Sequence, residues 1–201
     1  DVDFVNVGAH AVPMTKADRP ETDVGDPRRV LPWSDTPAQP ATAISHDGIW
    51  GTIPFAQQAS YQGTADRGPG FSVQVPAGWA TSEMRLEVMS GSSRVYTSPD
   101  GRSSFVVTVF PFAESIDLKG LVSQHTPLLF SSYKVRMGHD MILGKRTGVG
   151  LFLEGIRNGT DMGCHFFLCR YKNKGYLVQA YYEDASSARE AAKIMNTVRI
   201  F

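Results

Sequence analysis

The sequence has little cysteine, no surplus of either charge, no long apolar run and none of the short motifs that mark common catalytic sites. Each shortage excludes something. Lys plus Arg and Asp plus Glu number 20 each, so no basic excess draws the chain to nucleic acid, whose phosphates would demand one. No apolar stretch approaches the roughly 18–20 residues that cross a bilayer as a helix. The two cysteines, Cys164 and Cys169, are five positions apart. On one regular strand they point to opposite faces, roughly 17 Å apart at about 3.3 Å per residue. A disulfide needs Cα atoms within about 7 Å. Both are therefore expected to be reduced and packed, and such sparse use suits a cytosolic or a bacterial envelope protein alike.

Catalytic signatures are missing too. The chain has no Gly-x-Ser-x-Gly elbow, no His-Glu-x-x-His and no phosphate-cradling loop. Gly148, Gly150 and Gly155 imitate a dinucleotide fingerprint only loosely, within an expected hairpin instead of a strand-to-helix turn. Cys164 and His165 are neighbours, but adjacent side chains on a strand face opposite ways and cannot form a thiol–imidazole pair. Cys164, His165 and Cys169 lack the turn-borne spacing of zinc ligands. Nothing here asks for a metal or a cofactor, and no enzyme activity is expected.

What is present is an ordinary globular balance, 201 residues with 42% apolar and 20% charged, enough for one sizeable core. Two parts differ. Residues 1–69 hold eight of the 12 prolines and carry nine acidic against five basic residues, a net of −4; the remainder carries +4. Prolines this frequent forbid continuous helix or central strand, so 1–69 reads as a Pro-rich extended or partly ordered leader, and 70–201 as the folded domain. Trp33, Ile49, Trp50, Ile53 and Phe55 are costly to leave in water, which predicts that part of 44–62 lies against the domain.

From Phe71 the pattern becomes regular. Phe71, Val73 and Val75 alternate with polar residues up to Pro76 and the Ala77-Gly78 turn. Met84, Leu86 and Val88 alternate next. Residues 94–98 and 103–110 flank Pro99-Asp100-Gly101, a hairpin turn. Leu118, Leu121, Val122 and His125 have helical spacing, with Ser115 or Asp117 as cap and Pro127 as terminator. Four antiparallel strands are expected over 133–143, 146–156, 160–171 and 176–183, with Asn158-Gly159 as the strongest hairpin signal. Asn158-Gly159-Thr160 also matches a glycan acceptor, but the turn explains it. The strand at 164–169 is apolar on both faces and belongs in a sheet covered on both sides. A terminal helix follows, capped by Asp184 or by Ser187 with Glu190 as a capping box, and buried along Ala188, Ala191, Ala192 and Met195.

The run Phe71-Ser72-Val73-Gln74-Val75-Pro76-Ala77-Gly78-Trp79, the hairpin, helix, four-strand meander and closing strand–helix unit over 175–201 resemble the PsbP-like fold, which includes DcrB-like bacterial envelope proteins. The resemblance covers about 71–201. It implies an α+β domain, an antiparallel sheet covered by helices on both faces (an α/β/α sandwich), with the Pro-rich arm outside it. It implies a tendency to binding and assembly without catalysis, and supplies no functional residues.

The residues themselves offer two candidate sites. Lys134, Arg136, Lys145 and Arg146 lie around one expected hairpin and could meet an acidic partner, although alternate charged positions are often only the wet face of a strand. Tyr181 belongs to a tyrosine cluster with Tyr171, Tyr176 and Tyr182, suited to an interface or to the edge of the core. Gly148 and Gly150 leave a notch beside Phe152, which a neighbouring side chain or a ligand would fill. The preferred reading is a non-catalytic protein-binding or assembly module whose partner is another protein. Its location is periplasmic, extracellular or otherwise envelope-associated, with a signal sequence removed before Asp1 and a lipid anchor upstream compatible with that. The alternative is a small-molecule-binding domain or an enzyme with an unrecognised pocket. A third, by analogy with one branch of the fold, is a partner of a GTPase.

Overall fold

Alternation in the sequence becomes alternation in burial. In a computed structural model, described for residues 31, 33–40, 45–48, 51–54, 63–86, 90–113, 115–124, 134–135, 138–157 and 159–201, Phe71, Val73 and Val75 are buried while Ser72 and Gln74 are half-buried. The described strands are β1 (Gln39–Pro40), β2 (Ser45–Gly48), β3 (Gly51–Pro54), β4 (Thr64–Gly68), β5 (Phe71–Val75), β6 (Ala80–Leu86), β7 (Gly91–Thr97), β8 (Ser103–Pro111), β9 (Lys134–Val135), β10 (His139–Leu143), β11 (Arg146–Arg157), β12 (Thr160–Tyr171), β13 (Lys174–Tyr182) and β14 (Arg199–Ile200). Helical residues 118–124 form α1, and Ala185–Asn196 form α2.

Nine strands make one sheet in the order β1-β10-β11-β12-β13-β8-β7-β6, with β9 beside β11. Its pairings are antiparallel except for β1 on β10. Strands β14, β5 and β4 form a second sheet, and β2 and β3 a hairpin. The meander β10–β13 follows chain order because each connection is a tight turn. The step from β13 back to β8 places the β6–β8 strands beside the end of the meander.

The core is double. On one face Tyr96, Phe105, Phe152, Phe167 and Val178 pack with Phe71 and Val73 of the small sheet and with Ala188, Ala191 and Met195 of α2. On the other, Val106, Leu151, Phe166 and Leu177 pack with Leu31, Phe112 and Val122, while Trp33, Leu118 and Leu121 are partly buried against them. Leader residues thus join the fold: Leu31 is 1% exposed, Trp33 forms a parallel bridge to Gly138, and β3 lies alongside α2. Trp50 and Phe55 fall outside the described residues, as do His125, Pro127 and Asn158.

The expected sandwich with helices on both faces is overturned. Strand dominates, and the cover is unequal. One face carries α2 together with a three-stranded sheet. The other carries α1, whose described helical part is about 10 Å long at 1.5 Å per residue, and non-helical segments through Leu31, Trp33 and Phe112. The sheet is eight strands across, β9 lying in line with β10 beside β11, so at about 4.8 Å spacing it is roughly 35 Å wide, far more than the described part of α1 can layer.

Helix α2 starts at Asp184, one of the two expected caps. Its carboxylate accepts from Ser187 N at 2.7 Å, and Ser187 Oγ accepts from Asp184 N at 3.0 Å. Ser187 therefore closes the box in the position assigned to Glu190. Small alanines at 188, 191 and 192 bring the helix close to the sheet.

Candidate functional site

The basic residues singled out in the sequence do not form one cluster. Lys134 is paired with Glu154 on β11, eight positions from Arg146 and thus about 26 Å away along the strand. Arg136 lies outside the described residues. Lys145 is exposed at the β10–β11 turn, with φ of 66°. Arg146 is half-buried and held on two sides: its guanidinium stands 3.4 Å from the Tyr171 ring centroid, and Nε donates to the Ile200 carbonyl at 3.2 Å.

Around this stack the lower end of the sheet is basic. Lys172 Nζ lies 5.0 Å from the Tyr171 ring centroid, and Lys174 is paired with Tyr171 across the β12–β13 turn. Burial would push the Tyr171 hydroxyl up, but Lys172 and Arg146 outweigh it and lower its pKa. Lys145, Lys172 and Lys174 make no ion pair with an acid among the described residues. Beside Lys174 an open cleft of about 710 Å³ runs across to β6, lined by Lys174, Asn173, Ser90, Ser92, Phe110 and Arg85 among others, with no acidic side chain among the described residues of its wall. Tyr171 is the tyrosine of this surface. The sequence signal for it is its place at the lip of the Lys172–Gly175 turn.

Tyr181 is elsewhere. It is 7% exposed on the opposite face of the sheet, where Gln179 Nε2 donates to its hydroxyl at 2.8 Å. The glycine notch is filled by protein. Met141 packs over Gly150, and Phe167 and Cys169 pack over Gly148. Phe152 is fully buried, with its ring edge-on to His165 at 4.9 Å between centroids.

Cys164 and His165 face opposite cores, as the strand period requires. Cys164 and Cys169 are free and buried. Burial pushes the Cys169 thiol up to about 12 and raises Cys164 as well. Since the thiolate is the reactive form, neither thiol is expected to react with an aromatic disulfide reagent in the folded protein at neutral pH, and both should react on unfolding. Stoichiometric labelling before unfolding would contradict this burial.

A polar cluster went unseen in the sequence. Arg94 Nη1 donates to Asp66 Oδ1 and Oδ2 at 3.0 and 3.1 Å and to the Arg67 carbonyl at 2.7 Å, and Nη2 donates to Glu83. The Tyr96 hydroxyl donates to Asp66 Oδ2 at 2.8 Å. These residues join β4, β6 and β7 beneath a second open cleft of about 540 Å³, bordered by Pro76 and Trp79. No local motif marks the group, because its members come together only when the small sheet folds over β7.

Burial raises the Asp66 carboxyl, but the Tyr96 hydroxyl and the Arg94 guanidinium outweigh it and hold the group below its ordinary 3.8. A carboxylate with a depressed folded-state pKa adds stability above its unfolded value, and that stability is lost as pH falls through the folded value. Urea midpoints should therefore fall between pH ~5 and ~2.5, and Asp66→Asn should be less stable at the upper pH and show a shallower fall. An equally steep fall in the variant would assign the acid sensitivity to other carboxylates, Asp184 at the α2 cap first.

No protein-family model matches the chain, and no curated protein matches it. Solved structures give low-identity likenesses. A protein from Bacteroides thetaiotaomicron is 18% identical over 70% of this chain, with a TM-score of 0.49; the chain spans 49% of that protein's length. LpqN of Mycobacterium tuberculosis, described as involved in cell envelope biogenesis, is 15% identical over 68% of this chain and 89% of its own, with a TM-score of 0.48. At such scores the likeness decides neither family nor function. No helix among the described residues is long and apolar enough to cross a membrane, a statement that leaves strands out of account.

Proposed function

We propose that the chain is a non-catalytic protein-binding module, exported or envelope-associated, which takes an acidic surface of a partner protein on the basic lower end of its sheet. The observation that carries this reading is the Arg146–Tyr171 stack, with Lys145, Lys172 and Lys174 around it and no acid among the described residues paired to any of the three lysines. A tyrosine ring fixed by a stacked guanidinium offers contact area at little entropic cost, and unpaired cations steer and orient an anionic partner. In this reading residues 70–201 are the binding domain and 1–69 the arm, which Leu31, Trp33 and β4 anchor. The PsbP-like element order, with its DcrB-like envelope members, favours export and a location outside the cytoplasm, the periplasm of a bacterium being the simplest case.

The test is affinity capture from envelope and cytosolic fractions of the native host, comparing the natural chain with Lys172→Glu/Lys174→Glu. One stoichiometric protein should co-elute, bound roughly tenfold or more weakly by the variant, with the difference shrinking at high salt. Equal retention by the variant would move the site elsewhere. Co-elution of a small molecule and no protein would overturn the module reading.

A further inference from the structure

The nine-stranded sheet ends at β6, and no described residue pairs with that strand's outer side. Seven residues long and free of proline, β6 is exposed from Ala80 through Arg85. An edge of this kind presents a row of backbone donors and acceptors that proteins normally blunt. Here the side chains are arranged for a particular neighbour. Glu83 and Arg85 share one face of the strand, two positions apart, and Met84 stands between them on the other face, 39% exposed. Glu83 reaches Arg94 on β7 yet keeps 67% of its side chain exposed. Arg85 has no ion-pair partner among the described residues.

We propose that the outer edge of β6 joins two copies of this chain by antiparallel strand pairing about a two-fold axis at Met84. In that register Met84 lies opposite its own counterpart, and Glu83 lies opposite Arg85 of the second copy. The symmetry repeats the ion pair on the other side of the axis. Directly opposed residues on an antiparallel pair share a face and approach to about 4.5–5.5 Å between Cβ atoms, so both Glu–Arg pairs form and the two methionines cover each other. A register centred on Glu83 would oppose like charges, which fixes the pairing at Met84. The second copy's Glu83 then stands at the β6 end of the cleft beside Lys174, leaving Arg146, Lys172 and Lys174 uncovered. This interface does not depend on the proposed partner surface.

Sedimentation of the full chain reads the prediction directly. The natural protein should dimerise, and Arg85→Glu and Glu83→Arg should each dissociate roughly tenfold or more readily, since both pairs become repulsive. An equimolar mixture of the two variants should regain the dimer, because each supplies the charge the other lacks. Met84→Cys leaves both charges in place and should yield a covalent dimer on mild oxidation, since either type of antiparallel pair brings the Cα atoms within disulfide range and both natural cysteines are buried. A monomer at every concentration overturns the proposal, as does a dimer that ignores Arg85→Glu and gives no Met84→Cys cross-link. Capture of an extended peptide on this edge by a chain that stays monomeric overturns it equally.

Discussion

Phe167→Ala is expected to remove about 3–5 kcal/mol of stability, a large share of the roughly 5–15 kcal/mol that holds a domain of this kind folded. Phe167 is fully buried in the middle of β12, paired with Gly150 on one side and Val178 on the other. Its ring reaches over Gly148, so truncation empties both its own site and the space that the glycine leaves. Cover on this face is rigid: α2 lies close on alanines, and the small sheet is tied down through Asp66, Arg94 and Tyr96. Little can move in to refill the void, which puts the cost toward the upper end. Urea denaturation at neutral pH measures it. A loss below about 1 kcal/mol would mean that the two layers collapse together as the ring is removed, and that the packing is far softer than the fold implies.

Gly148→Ala is the second large effect, of opposite sign in volume. A methyl group at 148 would lie 2.7 Å from Cys169 Cβ and 2.9 Å from the Phe167 ring, and would press on the Leu168 carbonyl oxygen. Backbone of the paired strand cannot retreat without breaking the β11–β12 ladder, so overpacking should cost about 3 kcal/mol. Gly150→Ala is the control. Its new methyl would meet the end of the Met141 side chain, and a thioether with three rotatable bonds swings aside at small cost, so about 1 kcal/mol is expected. Thermal or urea unfolding of both variants ranks them. If Gly150→Ala proves the worse of the two, the packing between β10 and β11 is the tighter, and the ordering of these neighbours needs revision.

Local patterns in the sequence were good guides wherever the physics is local. The β12 and β13 strands, the turn at Pro99-Asp100-Gly101 and the alanine stripe of α2 follow from period and turn chemistry, and the structure has them at Thr160–Tyr171, Lys174–Tyr182, between β7 and β8, and on α2. The layering did not follow, because α1 and α2 look alike as patterns while they meet different partners, α1 the Leu31 and Phe112 side and α2 the small sheet. Strands β4 and β5 are a local hairpin across Pro69-Gly70, but nothing in the residues of β14 announces that it pairs with the other side of β5, since pairing over more than 120 positions is a property of the whole chain. The candidate site was legible in part. Charge and turn chemistry mark Arg146 and Lys145, but their neighbours Tyr171 and Lys174 arrive from another hairpin through strand register. Tyr181 shows what a doubly covered strand does to such a reading: moving one position along β13 exchanges one core for the other, since Ala180 and Tyr182 are buried on one face and Tyr181 on the opposite one.

Strand β1 is only Gln39–Pro40, laid parallel on β10 at the far edge of the large sheet, with Pro40 exposed. A proline there has no backbone proton to offer a further strand. Among the described residues the sheet is therefore one-ended, blunted where the leader joins it and open at β6. Filament growth by edge addition needs two ends that accept each other in turn, head to tail. A one-ended sheet can satisfy its open edge once, with its mirror in function, and then stops. Two-residue β1 is thus placed as a chain terminator, at the edge opposite to β6, against the edge-to-edge growth that long apolar strands such as β12 and β13 invite.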